Sequence, residues 1–416
     1  MELFEYPTAQ KIIMRFENPL TVESFEKRLG FSIACAKEIT FPTKNQMLQR
    51  RFVDRLIKLT SGDWKKHWLE MPEFVQEKVE PYRQLIVYID DDDESRAEFS
   101  AVAEQNITAK TQSIWYPKRP PGECKGLSWY SSEDYHPAFP VYVISKARSA
   151  TCITSRALDR MGVAHKVVIE PCDYSDYQQT LGADKLLQLP FSNLGQGSIP
   201  ARNWVWQHSL ESGSAWHWIL DDNIHNFYRL NRNEKIKVRT GAIFKAAEDF
   251  VLRYDNIGKA GFHYDYFCKA DQRLPAYYLN TRVYSCILLR NDGEFRWRGK
   301  YNEDTDLSLR ILKSGLCTVL FAAFLAGKMG TLKMKGGNTD FVYVDGDNRR
   351  KFAESLVKQH PDVAKVVWKF GRWHHHVDYR GFKDTASLNL KAGVKLTRQQ
   401  NDYGMVLRRD ECFTSE

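Results

Sequence analysis

From residue 141 onward the apolar positions fall in short continuous runs separated by segments of helical period. Val141–Ile144 and His165–Glu170 read as strands, with a helix over Ser149–Met161 between them. Ala183–Pro190 reads as a short third strand and Pro200–Ser212 as a helix. Trp216–Leu220 is a fourth strand, an unbroken apolar run that stops at Asp221 and Asp222. Continuous apolar runs mark strands buried on both faces. Their β-α-β-β-α-β alternation implies a mixed, mostly parallel sheet flanked by helices, an α/β fold. Ligands of such sheets collect at the carboxyl ends of the strands. Two adjacent acids placed there need a cation, a proton or a partner.

The pattern before residue 120 is different. Lys11–Phe16, Thr21–Leu29 and Glu38–Pro42 form a strand, an amphipathic helix and a short strand, and Gln84–Ile89, Glu94–Glu104 and Ser113–Pro117 repeat them. Two such units predict a small α+β domain with a ferredoxin-like split sheet. Asn45–Lys58 and Asp63–Val79 read as short helices between them. The basic, Pro/Gly-rich stretch Pro117–Gly126 reads as a linker. The expected organisation is an accessory domain over 1–120, a linker over 121–138, an α/β domain over 139–395 and a tail over 396–416.

Composition narrows this little. The 60 basic and 52 acidic residues of the 416 give a net charge of +8, which permits a polyanionic partner without demanding one. The eight cysteines include no C-x-x-C pair, so reduced buried thiols are expected. Met1–Pro7 does not resemble a signal peptide and no apolar stretch has membrane-spanning length; a cytoplasmic protein without membrane contact is expected. No G-x-G-x-x-G follows the first strand and no G-x-x-x-x-G-K-[ST] occurs, which argues against a dinucleotide site and a P-loop.

Several segments carry chemistry. Ser145 and Arg148, at the first strand-to-helix turn, suit a nucleotide base or phosphate, or simply an N-cap with a surface arginine. Glu170, ending the second strand, suits a uracil-type N–H or plain solvation. In Asn193–Asn203 a Gly-containing loop enters a helix whose first turn holds Arg202, a place suited to an anion. Hard oxygen donors at Asp221-Asp222-Asn223 suit Mg2+ or Mn2+ bridging a diphosphate. Asn302-Glu303-Asp304-Thr305-Asp306 opens a helix. Asn302 fits the N-cap, and a carboxylate there suits deprotonation of an attacking hydroxyl. His374 and His376 share a face if Trp373–Asp378 is extended, and suit a metal, a diphosphate or bare surface. Lys328–Asn338, basic and glycine-rich, reads as a mobile loop over phosphates or a nucleic-acid backbone.

In this order, Val-Ile-Ser-Lys-Ala-Arg-Ser, the Gly loop with Ala-Arg-Asn, Ile-Leu-Asp-Asp-Asn-Ile and Tyr-Asn-Glu-Asp-Thr-Asp-Leu make residues 138–390 resemble a GT-A glycosyltransferase. More narrowly, the chain resembles the phage-type glycosyltransferases associated with TET/JBP dioxygenases. In those systems the dioxygenase makes 5-hydroxymethyl-pyrimidines in DNA and the transferase adds sugar. The resemblance implies a UDP-sugar donor, hydroxymethylcytosine in DNA as acceptor, and Mn2+ or Mg2+. It places Ser145, Arg148, Glu170, Arg202, Asp221 and Asp222 around the donor and makes Asp304, beside Glu303, the base. Asp221 and Asn223 take the first and third places of the D-x-D signature, where Asn departs from the usual acid, and His376 or His374 takes the late metal-ligand place. The basic stretches Lys118-Arg119, Arg296–Lys300 and Lys328–Lys335 would hold the duplex, with Arg296, Arg298, Lys300, Lys333 and Lys335 as contacts. Two other readings stand beside this one: a GT-A enzyme acting on a protein, glycan or small molecule, and a non-catalytic nucleic-acid-binding module on a degenerate transferase fold.

Overall fold

Asn18 and Asp92 occupy equivalent places in the two N-terminal repeats, and each starts a helix in the computed structural model. Asn18 Oδ1 accepts from Thr21 N at 3.0 Å and Asp92 Oδ1 from Ser95 N at 2.7 Å, pairing backbone donors that the first helical turn leaves open. The first repeat is β1 (Ala9–Phe16), α1 (Pro19–Leu29) and β2 (Glu38–Phe41). The second is β3 (Arg83–Asp90), α2 (Asp93–Ala103) and β4 (Ser113–Tyr116). The structure describes residues 9–33, 36–41, 64–76, 81–118, 124–269, 274–299, 301–329, 348–369, 371–382 and 387–410. The helix read at Asn45–Lys58 lies outside them.

The repeats interlock around a core that includes Phe16, Phe25 and Phe99, in a sheet of order β2-β3-β1-β4. A split ferredoxin-like sheet alternates strand direction throughout; this one does so only at its centre, where β1 is antiparallel to β3. β2 runs parallel to β3 and β4 parallel to β1. After each helix the connector buries an isoleucine, Ile33 or Ile107, before the short strand starts. That anchor brings the chain back, so each short strand runs against the first strand of its own repeat.

Two compact units emerge, one of residues 1–58 and 78–125, the other of 59–77 and 126–416. The larger begins with β5 (Leu127–Ser131), β6 (Val141–Ile144), α3 (Ile153–Asp159), β7 (Lys166–Ile169), α4 (Tyr174–Leu181) and β8 (Leu186–Gln188). It continues with α5 (Ile199–Glu211), β9 (Trp216–Asp221), β10 (Ile224–Asn231), β11 (Glu234–Val238), α6 (Ala242–Leu252) and β12 (Ile257–Tyr264). Then come β13 (Tyr277–Leu279), β14 (Cys286–Arg290), α7 (Glu303–Lys313) and β15 (Cys317–Lys328). It closes with α8 (Arg349–Gln359), β16 (Ala364–Lys369), β17 (Arg372–Val377) and β18 (Met405–Arg409).

The large sheet is mixed. Its run β8-β7-β6-β9 is wholly parallel, as the continuous apolar patterning predicts; beyond β9, antiparallel neighbours β14 and β10 enter. Ile144 on β6 is level with Asp221 on β9, so the parallel strands deliver their polar ends to one edge. β15 carries eleven buried residues in a row and ends in Lys328.

Three boundaries differ from the sequence reading. The linker expected over 121–138 contains β5, which pairs with β11, and the tail expected over 396–416 contains β18, which pairs with β5. The cause is packing that no local turn signal reports: Met405 is buried and Trp129 faces Arg229 at 4.3 Å. Among the described residues of the helix expected over Asp63–Val79, 64–76, only one turn, Trp64–Lys66, is helical. Residues 67–76 are irregular because Trp68, Met71 and Phe74 spread their side chains over the core of the large unit.

Candidate active site

The parallel strands end on a cavity of about 320 Å3 lined by residues of β6, β9, β12, β15, α5 and α7 and of the turn after β7. Ser145, Arg148, Glu170, Arg202, Asp221, Asp222, Asn223, Glu303 and Asp304 all line it, although 159 positions separate the first from the last. The apolar runs bring the strand-end residues there: β7, β9 and β15 are buried up to the polar position that ends or follows each, which emerges at the edge.

Two ion-paired layers form the floor. In the outer one, Asp221 receives Arg202 Nη2 on Oδ1 at 2.9 Å, and Ser285 Oγ at 2.6 Å and Lys328 Nζ at 2.8 Å on Oδ2. Lys328 also donates to Ser285 Oγ and lies 3.4 Å from Tyr264 Oη. Burial opposes the Asp221 charge, but Lys328 and Arg202 outweigh it and hold the carboxyl well below the usual range. The same pairing, against burial, holds the Lys328 ammonium above its ordinary value. In the inner layer Asp222 accepts Arg148 Nη1 and Ser145 Oγ, each at 2.8 Å, and burial still pushes its carboxyl up.

The side chains expected to contact the nucleoside line the cavity and also have protein partners. The hydroxyl of buried Ser145 serves Asp222 and Tyr177, and the Arg148 guanidinium serves Asp222, so both hold the inner acid in place. Glu170 accepts Lys146 Nζ on both oxygens at 2.8 Å and Asn193 N at 2.8 Å; it organises the rim instead of offering a bare carboxylate.

Arg202 joins the floor to α7. Its Nη1 lies 3.4 Å from Asp304 Oδ1 and its guanidinium carbon 4.6 Å from the Trp297 ring centre. Beneath them Lys259, fully buried, donates to Asp304 O at 3.0 Å and Ser308 Oγ at 3.1 Å, and burial brings its ammonium down to about 8. Glu303 takes a 3.3 Å hydrogen bond from Ser198 Oγ; burial, and then the neighbouring Asp304 carboxylate, push it up. Asn302 holds the N-cap place with φ 56°, but its side chain makes no cap: Nδ2 donates to Phe352 O on α8 at 2.8 Å. Asp306, the last acid of the motif, points away from the cavity into His360 (2.9 Å), Arg310 (2.9 Å) and Arg298 (3.0 Å).

The metal set predicted from sequence is not assembled. Among the described residues no group of three or more His, Cys, Asp or Glu side chains is placed to hold a metal ion. His374 and His376 lie on β17 and do not line the cavity. Both Asp221 oxygens already face cations, so an added divalent ion would be repelled by Lys328 and Arg202 at contact range. The donor set fits an ammonium–guanidinium pair and not a divalent ion.

Of the predicted DNA contacts, Arg298 is committed to Asp306, and Arg296 lies 5.4 Å from the Trp206 ring with Nη1 bonded to Phe295 O at 2.7 Å. Lys300, Lys333 and Lys335 lie outside the described residues. The sequence reading missed Lys146, Tyr264, Ser285 and Lys259, and it set Lys328 in a loop. The signal for Lys328 was present: Cys317–Lys328 is a second long apolar run stopping at a charge. Cys152, Cys268, Cys286 and Cys317 are buried free thiols, as expected, whereas Cys124 is half-buried and Cys172 exposed. No helix among the described residues is long and apolar enough to cross a membrane.

Comparison with protein-family models matches residues 139–337 to the family described as TET-Associated Glycosyltransferase. No curated protein matches the chain. Among solved structures the chain is similar to one described as a nucleotide-diphospho-sugar transferase from Desulfovibrio desulfuricans G20, at 10% identity, with a TM-score of 0.29, covering 44% of this chain and 80% of that one. The family match spans the segment in which the strand-end acids, the Gly loop and the Asn-Glu-Asp helix build the cavity. Residues 139–337 therefore match the model of the TET-associated glycosyltransferases, and the activity this supports is that of a glycosyltransferase.

Proposed function

We propose that the enzyme moves a sugar from a UDP-sugar to the hydroxyl of a 5-hydroxymethyl-pyrimidine, 5-hydroxymethylcytosine first, in DNA. The observation that carries this reading is the convergence of Lys328 and Arg202 with Glu303 and Asp304 in one strand-end cavity. The donor diphosphate lies against the two cations, and Asn223 Oδ1, buried and without a hydrogen-bond partner among the described residues, accepts from a donor hydroxyl. The acceptor oxygen attacks the anomeric carbon while the bond from that carbon to the phosphate oxygen breaks. The electron pair leaves on the nucleotide diphosphate, where Lys328 and Arg202 meet the growing charge. The acceptor proton passes to the Glu303–Asp304 pair, with Asp304 as the base.

An aromatic series supports a planar acceptor. Tyr264, in the cavity wall, stacks with Tyr284 at 6.3 Å and with Tyr266 at 5.3 Å, and Tyr266 and Phe267 are about half exposed. An extruded base gains stacking on such a surface, which offsets the few kcal/mol lost on leaving the duplex. The family description, TET-associated, supports a hydroxymethylated base in particular. The test incubates the protein with a panel of nucleotide-sugars and hydroxymethylated or unmodified DNA, followed by mass spectrometry of digested nucleosides. A glycosylated hydroxymethyl-nucleoside is expected. Sugar appearing only on added proteins, glycans or metabolites would reassign the acceptor.

A further inference from the structure

The hairpin of β16 and β17 has two unlike faces. Its register pairs Ala364 with Val377, Val366 with His375 and Trp368 with Trp373 on one side. That side is anchored: Ala364 and Val377 are buried with Leu309 and Leu312 of α7 and Leu356 of α8. The other side pairs Lys365 with His376, Val367 with His374 and Lys369 with Arg372. Five of its six positions are basic side-chain types and none is an acid. Lys365, Lys369, Arg372 and His376 are exposed. Arg372 Nε donates to His374 Nε2 at 3.0 Å, a short contact along this face between two nitrogen groups.

Like charges directly opposite across a strand pair destabilise it. Lys369 and Arg372 are such a directly opposed pair, and Lys365 stands on the same face with no acid among its six positions, so a polyanion laid on it would offset that repulsion. At the tip Trp368 is 60% exposed and packs edge-on to Trp373 at 5.1 Å. The base of the hairpin is tied to the helix that carries Glu303 and Asp304: His360 Nε2 meets Asp306 at 2.9 Å and Lys313 meets Asp362 at 2.7 Å.

We propose that this ribbon is the enzyme's grip on double-stranded DNA, with its basic face seated in the major groove and Lys365, Lys369 and Arg372 on the phosphates. The inference rests on the DNA-acceptor reading above and adds the surface that holds the duplex. A two-stranded ribbon has the width the major groove admits. The 5-hydroxymethyl group projects into that same groove. Because the ribbon is packed on α7, engaging the duplex positions the target base relative to the Glu303–Asp304 pair.

The test measures binding of a fluorescent hydroxymethylated duplex by anisotropy across a salt series, for wild type and for a Lys365→Ala/Lys369→Ala/Arg372→Ala variant. The variant should lose about tenfold or more in affinity near 0.1 M salt, and its log–log salt slope should shrink by about two to three. UDP binding and transfer to a free hydroxymethyl-nucleoside should stay at the wild-type level, which also reports that the variant is folded. A Lys365→Arg/Lys369→Arg/Arg372→Lys variant should keep both affinity and slope. A triple-alanine variant with wild-type affinity and slope overturns the ribbon assignment and leaves the DNA reading intact. Tighter binding of wild type to an RNA duplex than to DNA overturns the groove assignment. Wild type that binds UDP and no duplex overturns the DNA reading and the ribbon with it.

Discussion

Asp221 is held between Arg202 and Lys328, and that pairing gives residue-level predictions. Lys328→Met keeps the aliphatic stem and removes the charge, so Arg202 still balances Asp221 and the fold survives. UDP affinity should fall about tenfold, the value of about 1.4 kcal/mol for one lost charged contact, read by calorimetry. EDTA should leave wild-type UDP affinity unchanged; a tenfold loss in EDTA, restored by Mn2+, would return a metal to the site. Asp304→Asn should bind UDP like wild type while transfer drops at least 100-fold in a steady-state assay. Since burial and Asp304 raise Glu303, the acid limb of the transfer rate should fall at a pH above 4.5, the ordinary glutamate value. Glu170, Asp221 and Asp222 were legible because each follows an apolar run, and Glu303 and Asp304 because they open a helix. Their partners were not. Lys328 is set beside Asp221 by strand pairing, level with Ile224 of β10, a contact that local pattern does not encode.

Among the elements, α7 works at both ends. Its first turn supplies Glu303 and Asp304 to the cavity, and Asp306 then turns to the other side, where His360, Arg298 and Arg310 bring its carboxyl down to about 2 against burial. A depressed carboxyl stabilises the fold above its ordinary 3.8 and loses that contribution as the pH falls through about 2. Wild type should therefore lose about 2 kcal/mol over that window, seen as a falling denaturation midpoint. Asp306→Asn should be less stable at neutral pH, and its midpoint should change less over the same window. Helix α7 itself was legible from the acids that open it. Asn302 was not, because its side chain answers to α8 and not to the helix it begins. The histidines of β17 follow the same rule: strand alternation, correctly read, put His374 and His376 on one face, but only packing decides which way that face looks.

For the whole molecule, the decisive departure from the sequence reading is residues 64–76, expected as a helix between the N-terminal repeats and found in the core of the large unit. Trp68 stacks on Tyr277 at 6.1 Å and meets Phe250 at 5.9 Å and Phe324 at 5.8 Å. Glu70 fixes the segment by accepting Thr397 N at 2.9 Å. A chain begun at residue 126 should be insoluble or markedly destabilised, since it loses Met71 and Phe74, both buried, and removing a buried phenylalanine alone costs about 3–5 kcal/mol. Adding residues 59–77 in trans as a peptide should raise its thermal midpoint. Burial of polar-flanked aromatics by a distant core leaves no periodic trace, which is why the segment was misread while the strands around it were not.

That arrangement also sets an order of events during synthesis. Trp68 leaves the ribosome long before Phe250 and Phe324 exist, and it waits without its final neighbours until β15 has been made. Lys328, the cation beside Asp221, comes at the end of that same strand, and β18 is later still. A nascent chain thus holds the strand-end acids early and the charge that balances them late. Until translation passes β15 the donor cavity lacks its lysine, and a chain stalled before that point carries no complete site with which to spend the cell's sugar nucleotide.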